Sequence, residues 1–184
     1  MIIGLTGKSG SGKDAAASYL VRKHGFQRLA FADALKIAAR AIFTLSDAQL
    51  WGAEKDIVDP YWGITPGQIM QRLGTECLRQ GFADDVWIKA LMRKVEPGQD
   101  YVITDVRFPN EAATVRAWGG KVYRIVRPGH VSARAPHMSE VALDGDKEVM
   151  ELSNHGTLEE LGQLMGDIVM LAQMERDGTL PDAA

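Results

Sequence analysis

One short stretch decides the fold, Gly7-Lys8-Ser9-Gly10-Ser11-Gly12-Lys13-Asp14. Two glycines separated by four residues, with lysine directly after the second, match the spacing of a phosphate-binding loop. Glycine lets the backbone curl around a small anion without Cβ clashes, and the dipole of a following helix adds positive potential. A glycine-rich turn without a ligand is the alternative interpretation. The pattern favours a nucleoside triphosphate site, with ATP as the expected ligand, formed by Gly7, Ser9, Gly10, Ser11, Gly12, Lys13 and Asp14.

The last residue of this stretch departs from the usual motif. A serine or threonine that ligates Mg²⁺ normally follows the lysine, but Asp14 stands there. A carboxylate is also a hard oxygen ligand for Mg²⁺. We therefore expect Asp14 to bind the metal, and Lys13 to bridge the β- and γ-phosphates.

The residues on either side of the loop set the fold class. Residues 2–6 form a short apolar run that predicts a buried strand, and residues 13–24 show helical periodicity. Further strands are predicted at 27–31, 101–105, 121–126 and 149–152, and helices at 33–43, 66–80, 84–95, 110–118 and after the capping box at Thr157. Strands that alternate with helices indicate a parallel sheet covered on both faces. We predict a single α/β P-loop domain over residues 1–184, with a five-stranded parallel sheet, an insertion at about 44–66 and a lid at about 127–146.

The helix predicted at 66–80 has two faces. Helical spacing directs Ile69, Leu73 and Cys77 to the core. The opposite side would carry Gln68, Arg72, Thr75 and Arg79.

Polar residues follow two predicted strands at their carboxyl ends, where ligands bind in such folds. Asp33 and Lys36 follow the second strand, and they predict contacts with a second, acceptor substrate. Capping of a helix by Asp33 and a solvated Lys36 are the alternative. Asp105 ends the third strand, where a carboxylate often holds Mg²⁺ or its water. A helix cap or an ion pair is the alternative for Asp105, and capping is also the alternative for Asn110 and Glu111.

Arginines suit bidentate contact with phosphate and balance charge during phosphoryl transfer. Arg127 and Arg134 stand in the predicted lid, although most single arginines on a surface are merely solvated. We assign catalytic roles to Lys13, Asp33, Arg127 and Arg134, with Asp33 orienting the acceptor. Residues expected to bind the acceptor substrate are Phe31, Asp33, Lys36, Gln71, Arg72, Thr75, Arg79, Asp105, Arg107 and Glu111.

Composition limits the function classes. The formal net charge is −3, and a nonspecific nucleic-acid binder needs surplus positive charge. No apolar run approaches the length of a membrane span, and Met1 to Thr6 do not resemble a signal peptide. Cys77 is the one cysteine, which fits a reducing compartment. We expect a cytoplasmic protein, which would lie in the host-cell cytoplasm if a phage encodes it. We expect no nucleic-acid or membrane partner, and a homodimer is the assembly that we consider.

Taken together, these residues resemble the bacteriophage deoxynucleoside monophosphate kinase family. The resemblance rests on ordered segments that cover nearly the whole chain: the phosphate loop from Gly7, Phe-Ala-Asp-Ala-Leu-Lys from Phe31, Met-Gln-Arg-Leu-Gly-Thr-Glu from Met70, Asp-Val-Arg-Phe-Pro-Asn-Glu from Asp105, Val-Arg-Pro-Gly from Val126, His-Met-Ser-Glu from His137, and Ser-Asn-His-Gly-Thr-Leu-Glu-Glu-Leu from Ser153. That family carries aspartate at the position of Asp14. Gly67 and Gln68 stand where its members tend to have basic residues.

The resemblance implies a nucleoside monophosphate kinase fold, and transfer of the ATP γ-phosphoryl group to a deoxynucleoside monophosphate with Mg²⁺. The segment from Phe31 and the helix with Gln71, Thr75 and Arg79 would form the monophosphate site, and Arg127 and Arg134 would belong to the lid. A related P-loop kinase that acts on dephospho-coenzyme A or phosphomevalonate is a second interpretation. A nucleotide-binding module without catalysis is a third.

Overall fold

Five parallel strands form one sheet, as the sequence predicts. They are β1 (Ile2–Thr6), β2 (Gln27–Leu29), β3 (Tyr101–Ile103), β4 (Lys121–Val126) and β5 (Met150–Ser153). The order across the sheet is β2-β3-β1-β4-β5, and every neighbouring pair is parallel. The strand carrying the phosphate loop, β1, therefore lies in the centre. Both β2 and β3 end two residues earlier than predicted, because the chain turns directly after Leu29 and Ile103.

The structure is a computed structural model that describes residues 1–129 and 142–179. Helices in these ranges are α1 (Lys13–His24), α2 (Ala32–Phe43), α3 (Asp47–Leu50), α4 (Pro66–Gln71), α5 (Val86–Met92), α6 (Pro109–Ala117) and α7 (Leu158–Asp177). A 3₁₀ helix spans Ala53–Asp56, and a π-helix spans Arg72–Gln80. No helix of the described residues is both long and apolar enough to cross a membrane.

Helices cover both faces of the sheet. On one face, Ile3 and Leu5 of β1 pack with Leu20 of α1 and Met165 of α7 in the main core. On the other face, α6 lies against β1 and β4. A Cβ on Gly4 of β1 would touch side chains there from Val106, Val115 and Val122. The alternation of these contacts along β1 is what a strand buried on both faces requires.

The chain divides into two compact units. The sheet unit comprises Met1–Leu29 and Glu96–Ala184, and the helical unit comprises Ala30–Val95. The helical unit has its own core of Ala39, Leu45, Leu50, Ile69 and Met70. The predicted insertion at 44–66 lies inside this unit. The described ends of the predicted lid, residues 127–129 and 142–146, belong to the sheet unit, and its residues 130–141 are outside the described ranges.

The predicted helix over 66–80 is not one regular α-helix. It begins as predicted at Pro66, with Thr65 as its cap, but the segment from Arg72 onward is a π-helix. A π-helix has more residues per turn than the 3.6 of an α-helix. Within the π-helix the buried positions are Gly74 and Arg79, five residues apart, whereas α4 buries Pro66, Ile69 and Met70. The prediction that Cys77 faces the core is wrong, since Cys77 is exposed, and Arg79 is 7% exposed instead of lying on the solvent side.

Candidate functional site

The phosphate loop (residues 7–14) joins β1 to α1, as predicted. Its three glycines have backbone φ angles in the left-handed region, at 131° for Gly7, 76° for Gly10 and 109° for Gly12. Glycine adopts these angles without the steric cost that a Cβ imposes. The loop can therefore wind tightly before α1 begins at Lys13.

Neighbouring groups leave no room for side chains at two of these glycines. A Cβ on Gly7 would lie 2.4 Å from the carbonyl oxygen of Ile125 in β4. A Cβ on Gly12 would lie 2.5 Å from Nδ2 of Asn154, just after β5. The ends of β4 and β5 therefore fix the path of the loop.

Lys13 holds the loop from within. Its Nζ donates hydrogen bonds to the carbonyl oxygens of Gly7 and Lys8, each at 2.7 Å. The N–H of Ser11 also donates to the Lys8 carbonyl at 3.2 Å. The Lys13 ammonium therefore binds two carbonyl oxygens of the loop. Its positive charge would also attract an anion.

The hydroxyl of Ser11 is a buried group without a partner in the described part of the chain. Ser11 is 2% exposed, and its Oγ makes no hydrogen bond there. Its Oγ lies 3.0 Å from the place of a Cβ on Gly7. Ser9 is exposed.

Two carboxylates that the sequence offers as metal ligands, Asp14 and Asp105, stand at the carboxyl edge of the sheet. Asp14 is exposed in the first turn of α1. Asp105 is half-buried two residues after β3, next to β1. The Val106 N–H donates to the Leu5 carbonyl at 3.0 Å and ties this segment to the end of β1. Both carboxylates therefore belong to the edge that carries the phosphate loop.

The segment after Asp105 is organised by Glu111. This carboxylate is 2% exposed and accepts hydrogen bonds from the backbone N–H of Arg107 at 2.8 Å and of Phe108 at 3.1 Å. It thus caps the start of α6, the alternative that the sequence offered. Arg107 itself is exposed.

Arg127 is exposed and follows β4 directly. Since β4 pairs with β1, Arg127 stands at the same edge as the phosphate loop. Arg134, the other predicted lid arginine, lies outside the described residues.

The predicted acceptor residues at the start of α2 belong to the helical unit. Phe31 is 3% exposed and is the N-cap residue of α2. Asp33 lies inside the first turn, so the alternative that Asp33 caps this helix is wrong. Lys36 is half-buried, with Nζ 5.3 Å from the ring centre of Trp51.

The other predicted acceptor residues lie on α4 and the π-helix of the same unit. Gln71 and Arg72 are exposed, and Thr75 is half-buried. Arg79 donates through Nη1 to the Asp84 carbonyl oxygen at 2.9 Å. The π-helix thus separates these side chains, which a regular α-helix would have kept on one face.

Sequence reasoning missed one residue of the loop's surroundings, Asn154. Its Nδ2 donates to the Ser11 carbonyl oxygen at 2.7 Å across 143 residues of sequence. In the sequence, the segment from Ser153 is distinctive only through its resemblance to a family motif. A polar residue directly after the last strand of a parallel sheet was the available signal.

Comparison with known proteins identifies the family. The family model described as deoxynucleotide monophosphate kinase matches residues 48–165. A putative deoxynucleotide monophosphate kinase of Acanthamoeba polyphaga mimivirus is 38% identical, over 95% of this chain and 99% of that protein. The chain belongs to the deoxynucleotide monophosphate kinase family. It is therefore a kinase with a nucleotide-kinase fold, as the sequence predicts.

Two further matches agree with this family. The deoxynucleotide monophosphate kinase of Escherichia phage RB69 is 35% identical over 109 residues, which cover 56% of this chain and 43% of that protein. The structure of a dephospho-CoA kinase from Campylobacter jejuni aligns with a TM-score of 0.56 at 11% identity, over 97% of this chain and 98% of the other. At that identity the second match shows the shared P-loop kinase fold alone.

Proposed function

We propose that this kinase transfers the γ-phosphoryl group of ATP to a deoxynucleoside monophosphate, with Mg²⁺ as the metal ion. An oxygen of the monophosphate attacks the γ-phosphorus, the bond from that phosphorus to the β–γ bridging oxygen breaks, and ADP leaves with that oxygen. The products are the deoxynucleoside diphosphate and ADP. The acceptor oxygen is already ionised at neutral pH, so no residue is needed to deprotonate it.

The observation that carries this proposal is the phosphate loop. Its left-handed glycines, the start of α1 and the Lys13 ammonium combine the N–H donors and the positive charge that a triphosphate requires. The family of the chain supports a nucleotide as the acceptor.

The residues at the carboxyl edge fit a magnesium ion held mainly by substrate. Asp14 and Asp105 offer carboxylate oxygens, the ligands that Mg²⁺ prefers. Within residues 1–129 and 142–179, no group of three or more His, Cys, Asp or Glu side chains could hold a metal. Proteins usually bind nucleotide-associated Mg²⁺ through one or two carboxylates plus phosphate oxygens, and Mg²⁺ would neutralise charge on the phosphates. Asp14 and Asp105 are the residues that we propose for this role.

The other assignments follow from charge and position. Arg127, with Arg134, would balance charge on the transferred group. The acceptor would use Phe31, Asp33, Lys36, Gln71, Arg72, Thr75, Arg79, Arg107 and Glu111, with Asp33 orienting it. A reducing cytoplasm, where ATP is abundant, is the compartment that we propose.

An acceptor screen tests this function. The full chain is incubated with Mg-ATP and each deoxynucleoside or ribonucleoside monophosphate, and ADP release is followed with coupling enzymes. Dephospho-coenzyme A and phosphomevalonate are included as competing acceptors. We expect turnover with one or more deoxynucleoside monophosphates; turnover with only a competing acceptor, or with none, would refute the proposal.

An arginine variant separates catalysis from nucleotide binding. Arg127→Ala should lower turnover while ATP affinity is retained, because this arginine would act on the group in transfer. Arg22→Ala, which removes an exposed arginine from the last turn of α1, is the matched control and should keep full activity. Equal loss in both variants would remove the assignment of Arg127.

A further inference from the structure

We infer that Asn154 is a positioning residue that sets the direction of the Ser11–Gly12 peptide group in the phosphate loop. The inference rests on the proposed binding of a triphosphate to that loop. Asn154 is half-buried directly after β5.

The geometry of the Ser11–Gly12 peptide group links the Ser11 carbonyl to the Gly12 N–H. In a trans peptide the C=O and the N–H point in opposite directions, and the chain has no cis peptide among its described residues. The Ser11 carbonyl oxygen accepts the hydrogen bond from Nδ2 of Asn154 at 2.7 Å. The N–H of Gly12, which shares this peptide group, is therefore aimed away from Asn154.

The direction of this peptide matters because an anion is attracted by N–H groups and repelled by carbonyl oxygens. Lys13 already holds the carbonyl oxygens of Gly7 and Lys8. Asn154 holds that of Ser11 in the same way. The amide of Asn154 is thus a further side-chain donor that occupies a loop carbonyl oxygen, which is the kind of preorganisation that an anion site needs.

Asn154 is itself fixed by the sheet. Its backbone N–H donates to the Val126 carbonyl oxygen at 2.7 Å, at the point where β4 and β5 end together. Its side-chain amide packs directly against Gly12, where a Cβ would lie 2.5 Å from Nδ2. Gly12 is thus needed for its φ of 109° and also to admit the amide.

The test uses a variant of nearly the same shape and opposite hydrogen-bonding character. Asn154→Asp replaces the donor with a carboxylate oxygen that faces the Ser11 carbonyl. Affinities for Mg-ATP and for inorganic tripolyphosphate are measured by titration calorimetry on the full chain. The matched control is Gln173→Glu, the same amide-to-carboxylate change at an exposed position of α7.

We expect Asn154→Asp to weaken the binding of ATP and of tripolyphosphate by the same factor, about ten-fold or more. The KM for ATP should rise while the KM for the acceptor stays constant. A general loss of stability would not raise one KM and leave the other unchanged. Gln173→Glu should bind both ligands like the wild type. Because Asn154→Asp also adds a negative charge beside the anion, Asn154→Ala, which removes the donor without adding charge, is measured alongside it and carries the same expectation.

Two results would overturn the inference while leaving the proposed function intact. One is wild-type affinity for tripolyphosphate in the folded variant. The other is weaker binding of ATP with unchanged binding of tripolyphosphate, since Asn154 would then act on the base or sugar. If the wild-type protein binds neither ligand, the proposed function itself fails, and the inference fails with it.

Discussion

The Nζ of Lys13 lies 2.7 Å from the carbonyl oxygen of Gly7, so the lysine that would bind phosphate also closes the loop on itself. Removing the ammonium should remove both roles. We expect Lys13→Met to lower kinase activity by about a hundred-fold or more, because the phosphates would lose the positive charge of the loop lysine.

The measurement is the rate of ADP release together with ATP affinity by calorimetry. Lys23→Met, which removes an exposed lysine from the last turn of α1, controls for the loss of one positive charge. Wild-type activity in Lys13→Met would contradict the proposed role of the phosphate loop in binding ATP.

Substitution of Gly7 tests whether crowding by neighbouring atoms, and not only backbone strain, excludes a side chain from the loop. Gly7→Ala adds a Cβ that would lie 2.4 Å from the Ile125 carbonyl oxygen at a φ of 131°. Gly98 also has a positive φ, of 82°, but a Cβ there would meet nothing within 4 Å. We expect Gly7→Ala to lower the free energy of unfolding by about 1–3 kcal/mol more than Gly98→Ala. Urea denaturation measures both, and equal losses would contradict the crowding.

The phosphate loop was predictable from the sequence because its chemistry demands a fixed local pattern. Glycines at set spacing, a lysine and a flanking strand and helix are all adjacent in the chain. The parallel sheet followed for a similar reason, since each strand is a local apolar run. The contact between Asn154 and Ser11 was not predictable in this way, because it joins residues 143 positions apart.

The failure at Cys77 and Arg79 has a different cause. The prediction assumed 3.6 residues per turn over residues 66–80, but the π-helix places Gly74 and Arg79 inside at a spacing of five. Tertiary contacts fix this phase: the Trp87 indole N–H donates to the Gly74 carbonyl at 3.0 Å, and Arg79 bonds to Asp84. The periodicity of residues 66–80 carries no information about either contact, so it could not predict the π-helix.

Substitution of Glu111 tests whether this residue stabilises the fold or binds substrate. Its buried carboxylate accepts the N–H groups of Arg107 and Phe108. We expect Glu111→Ala to lower the free energy of unfolding by about 2–3 kcal/mol, since both donors lose a charged partner. Thermal or urea denaturation measures this, with Glu151→Ala, at an exposed position of β5, as the control. Unchanged stability together with a raised acceptor KM would instead favour substrate binding as the sole role.

The cap of α7 predicts a pH effect. Hydrogen bonds from the backbone N–H of Thr157 first, and from its hydroxyl second, lower the pKa of the Glu160 carboxyl below its ordinary value of 4.5. Because the folded-state pKa is lowered, the stabilisation is present above about 4.5 and is lost as the pH falls through the folded-state pKa. In Thr157→Ala the pKa should move part of the way back toward 4.5, since the backbone donor remains.

An NMR titration of the Glu160 carboxyl in both proteins measures this change. The wild-type carboxyl should titrate below 4.5, and the variant carboxyl between the wild-type value and 4.5. A wild-type pKa at or above 4.5, or no change in the variant, would contradict the cap.

Transfer of label from the terminal phosphate of ATP is the decisive test of the proposed phosphoryl transfer. The full chain is incubated with γ-³²P-labelled Mg-ATP and dGMP, dTMP or dCMP, and the products are separated by chromatography. We expect label in the deoxynucleoside diphosphate from at least one of them, and none when Lys13→Met replaces the wild type. Label confined to ATP and inorganic phosphate with every monophosphate would contradict the proposed transfer.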